Sequence, residues 1–405
     1  MRKWRGIESH VTRFAPFRSL YLGLAEYDRE LSKIVAELNR AAPSQKSVGR
    51  GPQSTASLDE LLDFAARRGA SDILLIAGAP AVLRVNGALA PTSGPLLEAD
   101  DVRALVLPLL EPSQLEELQR RKSVDLGFER EGLGRFRVNL HHQRGTVAAS
   151  IRLLPSRIPS LESLHLPASL ARLAERRQGL VLVTGPTGCG KTSTLAALID
   201  IVNTRRAAHV VTIEDPVEYQ HTNRSAIMEQ IEVGRDTPDF AVTLRSVMRQ
   251  TPDVILVGEM RDAETMATAL TAAETGHLVL STLHTNDSIQ AVARILDSFP
   301  AANQPQIRQQ LSLALLAILS QQLVPGTDGG TRWPATEIMI ATDAVRSLIR
   351  KGDDHQLRSQ ISVGRAEGMM TMEQSLAELV RAGRIARDTA FAHCFRTDDL
   401  QRYLG

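Results

Sequence analysis

Gly185-Pro186-Thr187-Gly188-Cys189-Gly190-Lys191-Thr192 follows the apolar run Gly179-Leu180-Val181-Leu182-Val183-Thr184 and precedes a helical pattern. The spacing is G-x-x-x-x-G-K-[ST], in the strand-to-helix setting that makes it a phosphate-binding loop. No other stretch constrains the fold as much. A buried strand must end in a tight turn, and a helix must start at once. Glycine permits backbone conformations closed to other residues, and successive N–H groups can then form an anion-binding concavity. The helix N-terminus adds partial positive charge. Lys191 is placed to reach β- and γ-phosphates, and the Thr192 hydroxyl to meet Mg2+.

Further segments bear on what happens to a bound nucleotide. Ile213-Glu214-Asp215-Pro216-Val217-Glu218 ends a strand with three acids around a proline. Carboxylates at the carboxyl end of a sheet strand lie where ligands bind, and Glu214 is the candidate base for an attacking water. Asp253-Val254-Ile255-Leu256-Val257-Gly258-Glu259 is an apolar strand ending in an acid. Glu259 has the placement of a Mg2+-site carboxylate. The run from Gly276 to Asn286 ends in small polar residues around His284, a candidate sensor of the γ-phosphate. His277 opens the same strand. Arg245, Arg249 and Arg261 flank the second acid, and Arg135 and Arg137 lie upstream. These exceed what one nucleotide needs, so some are expected to act across a subunit boundary as arginine fingers.

The chain has 405 residues, enough for two or three domains. Residues 1–55 start basic and aromatic, continue as an amphipathic helix through Leu31, Ile34, Val35 and Leu38, and end in a Pro/Gly/Ser-rich stretch. A tail with a linker is favoured there over a membrane anchor. Residues 56–154 read as α+β: a helix over 58–68, strands near 73–76 and 82–85, an Asn86-Gly87 turn with a returning strand, helices over 99–121, and strands over 123–129, 135–142 and 145–153. Prolines mark a linker over 155–178. From residue 179 strands and helices alternate as in a parallel sheet, over 180–184, 209–213, 254–257 and 277–281. Beyond 287 the periodicity is helical almost to the end, with a loop over 326–335. This divides the remainder into a core over 179–325 and a helical C-terminal region over 326–405.

A net charge of +1 and 4% aromatic residues weigh against nucleic acid as a partner. Two cysteines, Cys189 and Cys394, favour a reducing compartment. No run reaches the length of a bilayer span, no secretory signal opens the chain, and no Cys/His spacing suggests zinc.

The loop at 185–192, Ile-Glu-Asp-Pro-Val-Glu-Tyr, the stretch from Leu244 to Asp262 and Thr-Ala-Ala-Glu-Thr-Gly-His-Leu-Val-Leu-Ser-Thr-Leu-His-Thr-Asn resemble the four boxes of the type II/type IV pilus secretion ATPases. Gly69-Ala70-Ser71-Asp72-Ile73, Ala344-Val345-Arg346-Ser347-Leu348-Ile349-Arg350 and Gly368-Met369-Met370-Thr371-Met372-Glu373 are similar to signatures of its PilT-like pilus-retraction (twitching motility) branch. The resemblance covers about 57–395. It implies an α/β fold with a RecA-like P-loop NTPase domain preceded by a smaller PAS-like domain, and ATP and Mg2+ as ligands. It implies a cytoplasmic hexameric ring docked on an inner-membrane platform protein, with the pilus extension ATPase as a further partner. It makes Glu214 the catalytic glutamate, Glu259 the Mg2+ acid, and His277 and His284 the histidine-box positions. Arg135, Arg137, Arg245, Arg249 and Arg261 fall on the basic positions.

Cys189 departs from the usual serine, and Arg350-Lys351 from the usual Arg-Glu. The first segment is unmatched. With two cysteines the chain cannot build the tetracysteine zinc site common in the other branches. A motor for type II secretion, competence or pilus assembly, a RecA-like DNA translocase, and a non-catalytic nucleotide-sensing switch remain competing readings.

Overall fold

The computed structural model describes residues 57–405 apart from Asn86 and Ser156. The readings for residues 1–55 and for Asn86 lie outside the described residues.

A six-stranded antiparallel sheet comes first, ordered β3-β2-β1-β6-β5-β4. Its strands are β1 (Ala70–Leu75), β2 (Val82–Val85), β3 (Ala88–Pro91), β4 (Ser123–Arg130), β5 (Gly134–Gln143) and β6 (Thr146–Leu153). Helix Leu58–Arg67 is fixed at its start by a capping box. Glu60 N donates to Ser57 Oγ at 3.3 Å, and Ser57 N donates to the Glu60 carboxylate at 2.8 Å. Leu62, Ala65, Val102, Val106 and Leu118 of the covering helices pack on Ile73, Phe136, Val138 and Ile151. Alternation along β5 turns one face inward, as a half-covered antiparallel sheet requires.

The second sheet has seven strands: β7 (Gly179–Thr184), β8 (His209–Glu214), β9 (Ile227–Glu232), β10 (Val254–Val257), β11 (Leu278–Leu283), β12 (Leu315–Pro325) and β13 (Arg332–Ile340). Their order is β13-β12-β7-β11-β10-β8-β9, parallel except for β13. Every residue of β7, β10 and β11 is buried. Leu180 and Leu182 join one apolar core with Ile213, Ile255 and Leu270, while Val181 and Val183 join another with Leu195, Leu198 and Ile199. Helices therefore cover both faces, and the apolar runs of these strands follow from that burial.

The region beyond 287 is not continuously helical. Leu315–Pro325 and Arg332–Ile340 are strands, and β13 begins inside the stretch expected to be a loop. Leu315-Leu316-Ala317-Ile318-Leu319 is buried throughout, so neither period is visible in it, and periodicity cannot separate a buried helix from a buried strand. Pairing with β7 on one side and β13 on the other decides it. Strand β9 and helix Phe240–Val247 also went unread. From Asp343 onward the chain is helical. No helix of the described residues is long and apolar enough to cross a membrane.

One buried carboxylate gathers this last region. Glu373, fully buried, pairs with Arg358 at 2.5 Å and accepts from Phe395 N at 3.2 Å and Arg396 N at 3.1 Å. Glu373→Ala should cost about 3 kcal/mol by leaving these donors unmatched, read as a lower urea midpoint. An unchanged midpoint would contradict this role.

Candidate functional site

The carboxyl ends of β7, β8, β10 and β11 meet along one edge of the parallel sheet. The phosphate loop, Glu214, Glu259 and His284 emerge there within a cleft of about 710 Å3, a volume typical of small-ligand sites. The first sheet supplies an opposite wall through Ser71, Asp72 and Arg152. Asp72 accepts from Arg152 Nε at 2.9 Å, which fixes that wall.

The loop is tightly determined. Gly185 has φ +140°, and a Cβ there would stand 2.2 Å from the Gln321 carbonyl oxygen. Only glycine fits. Lys191 Nζ donates to Gly185 O at 2.9 Å and Pro186 O at 3.0 Å. Burial lowers the pKa of the Lys191 ammonium, and Cys189, Glu259 and Glu218 offset part of that. Thr187, Gly188, Gly190 and Thr192 line the cleft. Cys189 is buried behind the loop, and burial raises its thiol pKa.

Gln321, on β12, acts as a strut under the loop. Its Nε2 donates to Cys189 O at 2.7 Å, and its Oε1 accepts from Thr194 Oγ1 at 3.0 Å. It is 3% exposed, so both bonds are shielded from water. Sequence reading missed it because it lies more than a hundred residues downstream in a strand read as helix, and no local signal marks it.

Glu214 is buried at the end of β8. Its Oε1 accepts from Thr212 Oγ1 at 2.7 Å and Gln230 Nε2 at 3.4 Å. Burial raises its pKa from 4.5 to about 7, against the lowering effect of those bonds. The Thr212 contact was legible in principle, since residues two apart on a strand share a face. Glu259 is bound by Arg261 Nη2 at 2.6 Å, and His284 Nε2 stands 3.6 Å from its other oxygen. Burial and the Lys191 charge lower the His284 pKa despite Glu259. Tyr219 and His221 also line the cleft; the Tyr219 hydroxyl is 2.8 Å from Ser193 Oγ.

Other expected residues lie elsewhere in the protomer. His277 precedes β11 at the sheet's opposite edge, its Nδ1 3.0 Å from Ala272 O. Arg135 pairs with buried Glu232 at 2.5 Å, which ties the first sheet to the second. Arg137 lies 4.0 Å from Asp125, Arg245 pairs with Glu264, and Arg249 is exposed.

Loop, strand-end acids and sheet order define a phosphate-loop α/β protein. The chain belongs to the type II/IV secretion system protein family, whose description matches residues 135–383. It is 43% identical over 333 residues to the type IV pilus retraction ATPase PilT of Pseudomonas aeruginosa, covering 82% of this chain and 96% of that one. It is 45% identical over 309 residues to a twitching motility protein of Neisseria gonorrhoeae, covering 76% and 83%. Among solved structures it resembles the pilus retraction motor PilT with bound ADP, at a TM-score of 0.81 and 42% identity over 86% of this chain and all of the other.

Gln321→Ala should weaken binding of a fluorescent ADP analogue about tenfold or more, because two buried loop bonds are lost together. Wild-type affinity would show that the loop holds its shape without the strut.

Proposed function

We propose that this protein is the ATP-hydrolysing motor of type IV pilus retraction. The observation that carries this is the convergence of Lys191, Glu214 and Glu259 in one cleft at the ends of neighbouring parallel strands. The high identity to pilus-retraction ATPases over most of both chains supports the load. In this reading the second sheet is a RecA-like core that begins at 179 and runs through β13, past the boundary at 325 read from the sequence; the first is a PAS-like domain over 56–154, joined by 155–178, and a helical C-terminal subdomain follows from Asp343.

The reaction is ATP + H2O → ADP + phosphate. Loop N–H groups and Lys191 bind the β- and γ-phosphates. Glu214 orients a water and takes its proton as the oxygen attacks γ-phosphorus; the bond to the β-phosphate oxygen breaks, and ADP leaves with that electron pair. The donors present fit Mg2+: the Thr192 hydroxyl and Glu259 carboxylate both line the cleft. No cluster of three or more His, Cys, Asp or Glu fit to hold a metal occurs among the described residues. Nucleotide oxygens and water would complete such a shell, as Mg2+ prefers. Mg2+ supplies charge neutralisation between the phosphates. Glu259 must give up part of its Arg261 contact to serve it.

The protein acts as a homohexamer on the cytoplasmic side of the inner membrane, against a platform protein, alongside an extension ATPase. Arg135, Arg137, Arg245, Arg249 and His277 lie outside the cleft of their own protomer, and in a ring some of them face a neighbour's nucleotide.

Glu214→Gln should bind ATP and hydrolyse it at least about a hundredfold more slowly; wild-type turnover would overturn the assignment. The rate should also fall as pH drops below about 7, where Glu214 gains a proton. Thr212→Val removes a bond that lowers this pKa, so its acid limb should move to higher pH. The same shift has a stability consequence. Between pH 4.5 and about 7 the folded Glu214 holds its proton more than the unfolded chain does, so its contribution to stability declines as pH rises through that window. An acid limb insensitive to Thr212→Val would place the titrating group elsewhere.

A further inference from the structure

A second cavity, of about 440 Å3, opens far from the nucleotide cleft. Its floor is apolar: Leu170, Leu316 and Ile338 are buried there, with Ile340 beside them. Leu316 lies at the start of β12, directly after Leu315, and β12 runs parallel to β7, so this cavity lies at the amino edge of the sheet. The phosphate loop lies at the carboxyl edge, about 20 Å away along a six-residue strand.

The rim carries four arginines, Arg172, Arg176, Arg346 and Arg365, and one acid, Glu367. Arg365 pairs with Glu378 at 3.2 Å. Arg346 is half-buried, and its guanidinium donates to the carbonyls of Ala341, Ser312 and Leu313. It forms no ion pair among the described residues; Asp343 acts on it only at longer range. Burial, and then the like charge of Arg176, make its protonated state harder to hold. Arg172 and Arg176 have no carboxylate partner among the described residues. The Arg176 and Arg346 guanidiniums repel one another, and a shared anion between them relieves that repulsion.

We propose that this cavity is a binding site for a small amphipathic anion, a phosphate or carboxylate head on an apolar body. The guanidiniums hold the head, and Leu170, Leu316, Ile338 and Ile340 cover the body. A bare inorganic ion would leave the floor wet, and a neutral apolar molecule would leave the arginines unmatched. A membrane lipid and a free metabolite both present such a head, and the chemistry of recognition is the same.

The test is calorimetric titration of the full-length protein with octyl phosphate, with octyl glucoside as the neutral control and inorganic phosphate as the headgroup alone. Saturable binding of octyl phosphate, at least about tenfold tighter than either control, is expected. Arg172→Glu/Arg176→Glu should reverse the rim charge and abolish it. Ala366→Trp, on the opposite rim, should block the cavity by bulk. Both variants should keep the wild-type melting temperature and ATPase rate, since neither touches the nucleotide cleft. Co-sedimentation with phosphatidic acid vesicles separates the sources: retention lost in the double variant assigns a lipid, and binding of octyl phosphate alone assigns a free ligand. Absence of saturable binding, equal binding of octyl glucoside, or full binding by both variants would overturn the proposal.

Discussion

A buried ammonium is the constraint on which the site depends. Lys191 Nζ is held by two carbonyl oxygens of its own loop, at 2.9 Å and 3.0 Å. Such acceptors are neutral, and a partly desolvated cation gains far more from an anion. The loop therefore favours a phosphate chain strongly over any neutral ligand. It can do so only while its backbone stays in an unusual conformation, which brings in Gly185 at φ +140° and the strut from Gln321. Strand β12 thus matters to nucleotide chemistry although no residue of it belongs to the motif.

Sheet order supplies the rest. Strands β7 and β8 are separated by β11 and β10, so one edge presents the loop, His284, Glu259 and Glu214 in succession. Each acid is tuned differently. Glu214 is buried with only uncharged donors, which raises its pKa toward neutrality. Glu259 is held by a guanidinium, that of Arg261, at 2.6 Å. One carboxylate is thereby suited to proton traffic and the other to a cation, a division of labour set by surroundings and not by residue type.

Much of this was legible in the sequence, for definite reasons. The loop, Glu214 and Glu259 are local patterns, an apolar strand followed at once by polar residues, which puts those acids at strand ends where ligands bind. The first sheet was readable because its strands alternate and its turns carry glycine. Gln321 was hidden because it acts across β12 on a loop far away in sequence. The strand character of Leu315–Pro325 was hidden because complete burial erases periodicity. The arginine contacts were hidden for a third reason: Arg135 finds Glu232 only through tertiary packing, and strand propensity carries no record of it.

The central claim is that Lys191 and Glu214 act on the same phosphate. A structure of the protein with Mg2+ and a non-hydrolysable ATP analogue tests it directly. Lys191 Nζ should leave the Gly185 and Pro186 carbonyls for β- and γ-phosphate oxygens. The Glu214 carboxylate should stand within hydrogen-bond reach of a water in line with the γ-phosphate. A triphosphate bound with Lys191 still on its carbonyls, or with Glu214 turned away from any such water, would contradict it.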